Sequence, residues 1–302
     1  MSEARSRPIL SCGMIVIAMV VITITGGRPA EADAPAQRKN TSKQVLILNS
    51  HIPGMPWQQQ VNQALHTAFD TDPRFSIGIH TEYTGLTQNA DDAYVRSLIE
   101  LYRHKYASRQ IDLIIAVDIP ATNLMIAYGQ RLFPGIPVVF LSGKEDIRSM
   151  RLRSNMTGLI TSIDVMGTVD VILRVHPGTR NIAIISGSSR IDRIYERVVR
   201  NAVAAYRNRF DVIDLTGLPM DEILERVSRL PEHTIALYVL TLMDGTGKAF
   251  IPRNILPRLS RTSNAPMYGL WDALLGSGIV GGSLSSASSD GTPVAEMGLG
   301  IL

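Results

Sequence analysis

Val45-Leu46-Ile47-Leu48-Asn49-Ser50-His51, followed by Pro53-Gly54-Met55-Pro56-Trp57, reads as a strand, a turn and the start of a helix. Four consecutive apolar residues mark a strand covered on both faces, as in a parallel sheet, rather than one with a wet side. The polar residues 49–51 end it, and Pro56 suits the first turn of a helix, where its missing N–H costs nothing. Val61, Ala64, Leu65, Ala68 and Phe69 then form an apolar stripe at helical spacing. The same rhythm recurs outward from this unit. Apolar runs stand at 77–79, 113–117 and 138–141, then at 182–185, 212–215, 235–240 and 267–269. Helical segments lie between them at 94–106, 120–131, 165–175, 192–206, 221–230 and 252–262. The helix over 94–106 opens after Asp91 and Asp92 and closes with Arg103, His104 and Lys105, charges that match its dipole.

This alternation predicts an α/β fold of βαβ units with mainly parallel sheets. A polar, arginine-bearing stretch divides the units into two series. The expected organisation is a first lobe over 44–142, an inter-lobe crossing over 143–156 and a second lobe over 157–283. Residues 284–302 return toward the first lobe through a Ser/Gly-rich stretch and a helix opened by Pro293.

Composition narrows the function. Of 302 residues, 45% are hydrophobic and 19% charged, which excludes a disordered chain. A single cysteine excludes an internal disulfide and zinc sites built on paired cysteines. The net charge of +3 is scattered, with no basic block, so no nucleic-acid partner is expected. Arg5 and Arg7 precede an apolar run from Ile9 to Thr25, and Ala32-Asp33-Ala34 follows as a small-residue cleavage pattern. That order is the design of a secretory signal over 1–34, with a retained membrane anchor as the alternative. Cys12 stands near the start of the apolar run rather than after it, so it does not form a lipid-attachment site. A flexible leader is expected over 35–43, and the remainder is expected to fold in the periplasm or another extracytoplasmic space.

Further segments carry a family resemblance: Leu132-Phe133-Pro134-Gly135-Ile136-Pro137, Asn155-Met156-Thr157-Gly158, His176-Pro177-Gly178-Thr179-Arg180 and Tyr268-Gly269-Leu270-Trp271-Asp272. Together with the opening stretch, the chain from about Gln44 to Leu302 resembles the ABC-transporter substrate-binding-like domain that heads bacterial sensor histidine kinases and diguanylate cyclases. The resemblance implies a type I periplasmic-binding-protein-like fold, two Rossmann-like lobes with a ligand cleft between them. It implies a small-molecule ligand and a membrane partner, either an ABC permease or a sensor output module. It also implies further first-lobe elements, so the return over 284–302 reads as incomplete.

In open α/β sheets ligands sit beyond the carboxyl ends of the strands. That rule selects Asn49, Ser50, His51 and Trp57 after the first strand, Asp118 after the third, and Ser142 and Gly143 after the fourth. In the second lobe it selects Ser186, Thr241, Tyr268, Trp271 and Asp272. Each has a structural alternative: Asn49 and Ser50 as strand terminators, Trp57 as a hydrophobic staple, Asp118 as a helix cap. The run Gly276-Ser277-Gly278-Ile279-Val280-Gly281 matches a dinucleotide fingerprint by letters alone, because it neither follows the first strand nor opens a helix. No histidine pair has metal-ligand spacing, and no nucleophile elbow occurs. The expectation is a non-catalytic binder without cofactor or metal. An exported α/β hydrolase and an inactive sensor fragment are the alternatives.

Overall fold

The computed structural model describes residues 41–143 and 151–302. The expected export segment, most of the leader and part of the expected crossing lie outside them. The first sheet contains β1 (Thr41–Asn49), β2 (Phe75–Tyr83), β3 (Leu113–Val117), β4 (Val138–Gly143) and β5 (Met156–Thr161), in the order β2-β1-β3-β4-β5. The second contains β6 (Asn181–Ser186), β7 (Asp211–Thr216), β8 (Thr234–Leu240) and β9 (Met267–Tyr268), in the order β7-β6-β8-β9. Every pairing in both sheets is parallel. The helices are α1 (Pro56–Thr71), α2 (Asp92–Lys105), α3 (Ile119–Leu132), α4 (Val165–Val175), α5 (Arg190–Val203), α6 (Met220–Val227), α7 (Pro252–Thr262) and α8 (Ala287–Ile301).

Alternate residues of the first sheet serve opposite faces, as the period of a strand requires. Leu46, Leu48, Ile114, Ala116 and Phe140 pack with Leu98 and Tyr102 of α2 and Leu124 of α3. Val45, Ile47, Ile115, Val117 and Val139 pack with Val61 and Phe69 of α1 and with Val294 and Ala295 of α8. A parallel sheet is stable only when both faces are covered. Here one cover comes from the C-terminal helix, which arrives after the second lobe is complete. The second lobe has one core, in which Ile184, Leu237 and Tyr238 of the sheet meet Ile172, Val199, Ile223 and Leu256 of its helices.

Three boundaries differ from the sequence reading. Met156–Thr161, expected at the end of the crossing and the start of the second lobe, is the fifth strand of the first sheet, paired with β4 in register Phe140↔Gly158. Gly158 lies so close to Phe140 that a Cβ there would collide with that residue's carbonyl oxygen and ring. The first crossing therefore occupies 162–164. β1 starts at Thr41 because its pairing extends to Thr41↔Phe75, so the last leader residues belong to the sheet. The returning helix starts at Ala287 rather than Pro293, which lies inside it.

Close approach explains the composition of α8. A Cβ on Gly291 would stand 2.9 Å from Ala64 Cβ and 3.2 Å from the Val61 carbonyl oxygen of α1. Gly300, in the same helix, has open space around it. Gly291→Ala should cost about 1 kcal/mol or more through overpacking, while Gly300→Ala should gain up to about 1 kcal/mol in helix propensity. Thermal unfolding of the two variants checks this, with opposite shifts of the midpoint expected.

Asp192 fastens the second lobe. It closes a capping box with Ser189 at the start of α5, and its carboxylate accepts from the backbone N–H groups of Leu242 at 3.0 Å and Met243 at 3.2 Å. Burial pushes its carboxyl from the ordinary 3.8 up to about 6, against the pull of these hydrogen bonds. A raised carboxyl pKa means the folded state holds a proton that the unfolded chain has released. Its stabilising effect is present below about pH 4 and is lost as pH rises through about 6. The stability deficit of Asp192→Asn should therefore be about 1 kcal/mol smaller at pH 7 than at pH 5, read from chemical denaturation at both values.

Candidate ligand-binding site

Two segments join the lobes, and they are tied to each other. Asp164 caps α4 by accepting from Gly167 N–H at 2.9 Å, and its other oxygen accepts from the Ser283 hydroxyl at 2.7 Å. These hydrogen bonds, that from Gly167 first, hold its carboxyl below the ordinary range. Thr168 Oγ1, in the first turn of α4, accepts from Ser283 N–H at 2.9 Å, so the helix that follows the first crossing is tied to Ser283 as well. Just beyond, Ser285 and Asp272 exchange chain contacts, with Asp272 N–H donating to the Ser285 carbonyl at 3.1 Å.

The carboxyl ends of both sheets face the space between the lobes. In the first sheet β1 is flanked by β2 on one side and β3 on the other, the switch point at which α/β sheets open a crevice. His51 follows β1 and Asp118 follows β3, and their side chains meet across the crevice, His51 Nε2 to Asp118 Oδ2 at 3.0 Å. Asp118 holds φ 73°, an unfavourable conformation for a residue with a side chain. It also caps α3 through Ile119 N–H at 2.7 Å, the structural role weighed from sequence, while lining the crevice. Strain of this kind persists where the surroundings over-determine it, often at binding sites.

The cleft has an interior volume of about 90 Å³, room for several water-sized groups. His51, Trp57, Gln58, Asp118, Ser142 and Gly143 line it from the first lobe. The opposite wall is apolar: Ile191 and Tyr195 from α5, Leu240 at the end of β8, Leu242 just after it, and Trp271. Trp271 meets the edge of Tyr195 at 5.2 Å between ring centroids, with the planes 88° apart. Trp57 packs against the cores of both lobes. Beside the cleft Met55 and Ile119 of the first lobe bury themselves against Ile191 and Leu242 of the second. Among the described lining residues Asp118 is the carboxylate, and no lysine or arginine stands with it. Among the described residues no three His, Cys, Asp or Glu side chains gather as a metal group, and no helix is long and apolar enough to cross a membrane.

Of the residues selected from sequence, His51, Trp57, Asp118, Ser142, Gly143 and Trp271 come together on the cleft. The other six do not line it. Asn49 is fully buried at the end of β1, and Ser50 donates to the Val117 carbonyl at 2.7 Å while accepting from Ala121 N–H, binding β1 to β3 and α3. Ser186 donates to the Leu240 carbonyl at 3.2 Å, holding β6 to β8. Thr241 is fully buried between Leu240 and Leu242, the two neighbours that do line the cleft. Tyr268 is buried beside His176, 3.1 Å from its Nε2, in the loop that precedes β6 and so at the far end of the sheet. Asp272 sits at the return beside Asp290, whose carboxyl is raised by burial and then by the charge of Asp272.

Gln58, Ile191, Tyr195, Leu240 and Leu242 escaped the sequence reading. A usable signal existed for Gln58, because the first turn of a helix after a strand faces the crevice. The apolar residues carried none, since on a helix or at a strand end they look like core.

No protein-family model matches the chain, and no curated protein matches its sequence. Solved structures do match its fold. A ligand-free, open substrate-binding protein with adhesive properties from Clostridium difficile is 16% identical, with a TM-score of 0.58, over 86% of this chain and 84% of that one. The ABC domain from Streptococcus pneumoniae in complex with L-Trp is 15% identical, with a TM-score of 0.56, over 84% and 83%. The periplasmic binding protein component of the arabinose ABC transporter from Shewanella sp. ANA-3 is 12% identical, with a TM-score of 0.53, over 85% and 86%. The chain has the type I periplasmic-binding-protein-like fold, two parallel α/β lobes with a cleft between them.

Proposed function

We propose that this chain is an extracytoplasmic, non-catalytic solute-binding protein whose lobes close on a small molecule, and that the closed form is read by a membrane partner, an ABC permease or a sensor output module. The observation that carries the reading is the cleft itself: strand ends of both sheets converge on it, and both tryptophans of the chain line it. Buried polar atoms without partners at His51, Trp57, Gln58 and Ser142 gather on its first-lobe side, where a bound molecule would satisfy them. Closure follows if a ligand touches both walls, since contacts available only in the closed form shift the population toward it. The type I fold supports the binding role, and the sequence order at 1–34 supports export.

Screening a panel of amino acids, sugars and aromatic metabolites by thermal shift should find a ligand that raises the midpoint, alters tryptophan fluorescence and reduces the radius of gyration in small-angle scattering. Trp57→Ala should weaken that ligand about 5- to 150-fold, the equivalent of ~1–3 kcal/mol for a buried aromatic contact. Trp271 is 8% exposed and part of the second lobe's core, so Trp271→Ala should also lower the unliganded midpoint. A stabilising ligand that changes neither the fluorescence nor the scattering would end the cleft reading. N-terminal sequencing of the exported protein should begin at Pro35; a start at Met1 would mean a retained anchor.

A further inference from the structure

The cleft carries an excess of hydrogen-bond donors, and the excess lies at the start of α1. That helix begins with no side-chain cap and no acidic residue in its first turn, so the chain leaves the positive end of its dipole uncompensated. Two side chains on the same turn are donors without acceptors. Gln58 is 1% exposed, and its Oε1 accepts from the His51 backbone N–H at 3.1 Å. A backbone N–H can only donate, so this contact settles which end of the amide is oxygen and leaves Nε2 as the unpartnered end. Trp57 Nε1, which can only donate, is buried without a partner as well. Nearby, Ser142 Oγ and His51 Nδ1 also lack partners, in residues 2% and 8% exposed. The serine hydroxyl can donate or accept, whereas Nδ1 of the neutral ring accepts, because Nε2 carries its proton toward the Asp118 carboxylate.

Groups of this kind are costly to leave unmet, so their gathering on one cavity describes the molecule that would meet them. An oxygen acceptor suits Trp57 and Gln58, and an adjacent O–H or N–H suits His51 Nδ1 or Ser142. Asp118 lines the same end and is held by His51, so an incoming carboxylate would stand against an existing negative charge. The remaining walls, with Trp271, Ile191 and Leu242, suit a flat apolar body.

We propose that the cleft takes an uncharged ring compound bearing a carbonyl with a neighbouring N–H or O–H, its oxygen held by Trp57 Nε1 and Gln58 Nε2 at the N-terminus of α1. This rests on the cleft being the binding site, as argued above. The test compares four probes that share one benzene ring and one substituent carbon on the full chain, followed by calorimetry and by the fluorescence of the two tryptophans: benzamide, benzoate, benzylamine and toluene. Benzamide should bind at least tenfold more tightly than each of the others. Gln58→Glu keeps an acceptor for His51 N–H and replaces the donor, and Trp57→Phe keeps a ring while removing the N–H. Each should weaken benzamide about tenfold and leave toluene within about twofold. Benzoate or benzylamine binding as tightly as benzamide overturns the proposal and leaves the cleft standing, as does equal loss of toluene in both variants. No response to any of the four up to their solubility limits overturns this proposal, and the cleft reading is then decided by the wider ligand panel. Should a variant fail to fold, the four-probe comparison on the unaltered chain decides alone.

Discussion

The geometry of the site depends on the tie between the two crossings. Asp164 on the first crossing and Thr168 in the first turn of α4 both hold Ser283 on the other segment, so the lobes are joined by a laced pair rather than by two independent linkers. A laced pair restricts the motion of one lobe against the other to bending about the tie. In the closure proposed above, the strand ends beyond it stay opposed, and the walls carrying Trp57 and Trp271 approach each other. The apolar contact of Met55 and Ile119 with Ile191 and Leu242 buries apolar surface between the lobes at the cleft.

The strand–helix alternation was legible because parallel strands buried on both faces carry continuous apolar runs, and Val45–Leu48 shows the pattern without ambiguity. Elements at the edges of the sheets were not. β5 mixes threonine and glycine with its apolar residues and follows an arginine-bearing stretch, so it read as the end of the crossing and the start of the second lobe. Its place in the first sheet is set by pairing to β4 and by the small size of Gly158, neither of which leaves a hydrophobic run. Thr41 and Ser42 are exposed strand residues for the same reason: the ladder, not burial, keeps them extended.

For the candidate site, the rule of carboxyl strand ends selected first-lobe residues most of which reach the cleft. His51, Asp118, Ser142 and Gly143 end β1, β3 and β4 with polar or small groups, and those ends open on the crevice. It served the second lobe poorly, because there the polar strand-end residues are turned to internal use. Ser186 ties two strands, and Thr241 is buried between neighbours that face outward. The second wall is instead built from leucine, isoleucine and aromatic side chains, which in a sequence cannot be told from core. Tyr268 shows the complementary error, a large polar aromatic in a distinctive segment that serves the opposite end of its sheet.

The position of α8 orders events in time. Synthesis makes β1, α1 and β3 early, yet the face formed by Val45, Ile47 and Ile115 acquires part of its cover only when residues 287–301 emerge, after the whole second lobe. Contacts between α1 and α8 span nearly the length of the described chain, which raises contact order and slows the closing step. Until then an apolar sheet face and the flank of α1 are open to other chains, the condition in which folding intermediates associate and chaperones are needed. The second lobe, whose core draws on contiguous sequence, has no such debt to a distant segment. The lobe made first finishes last.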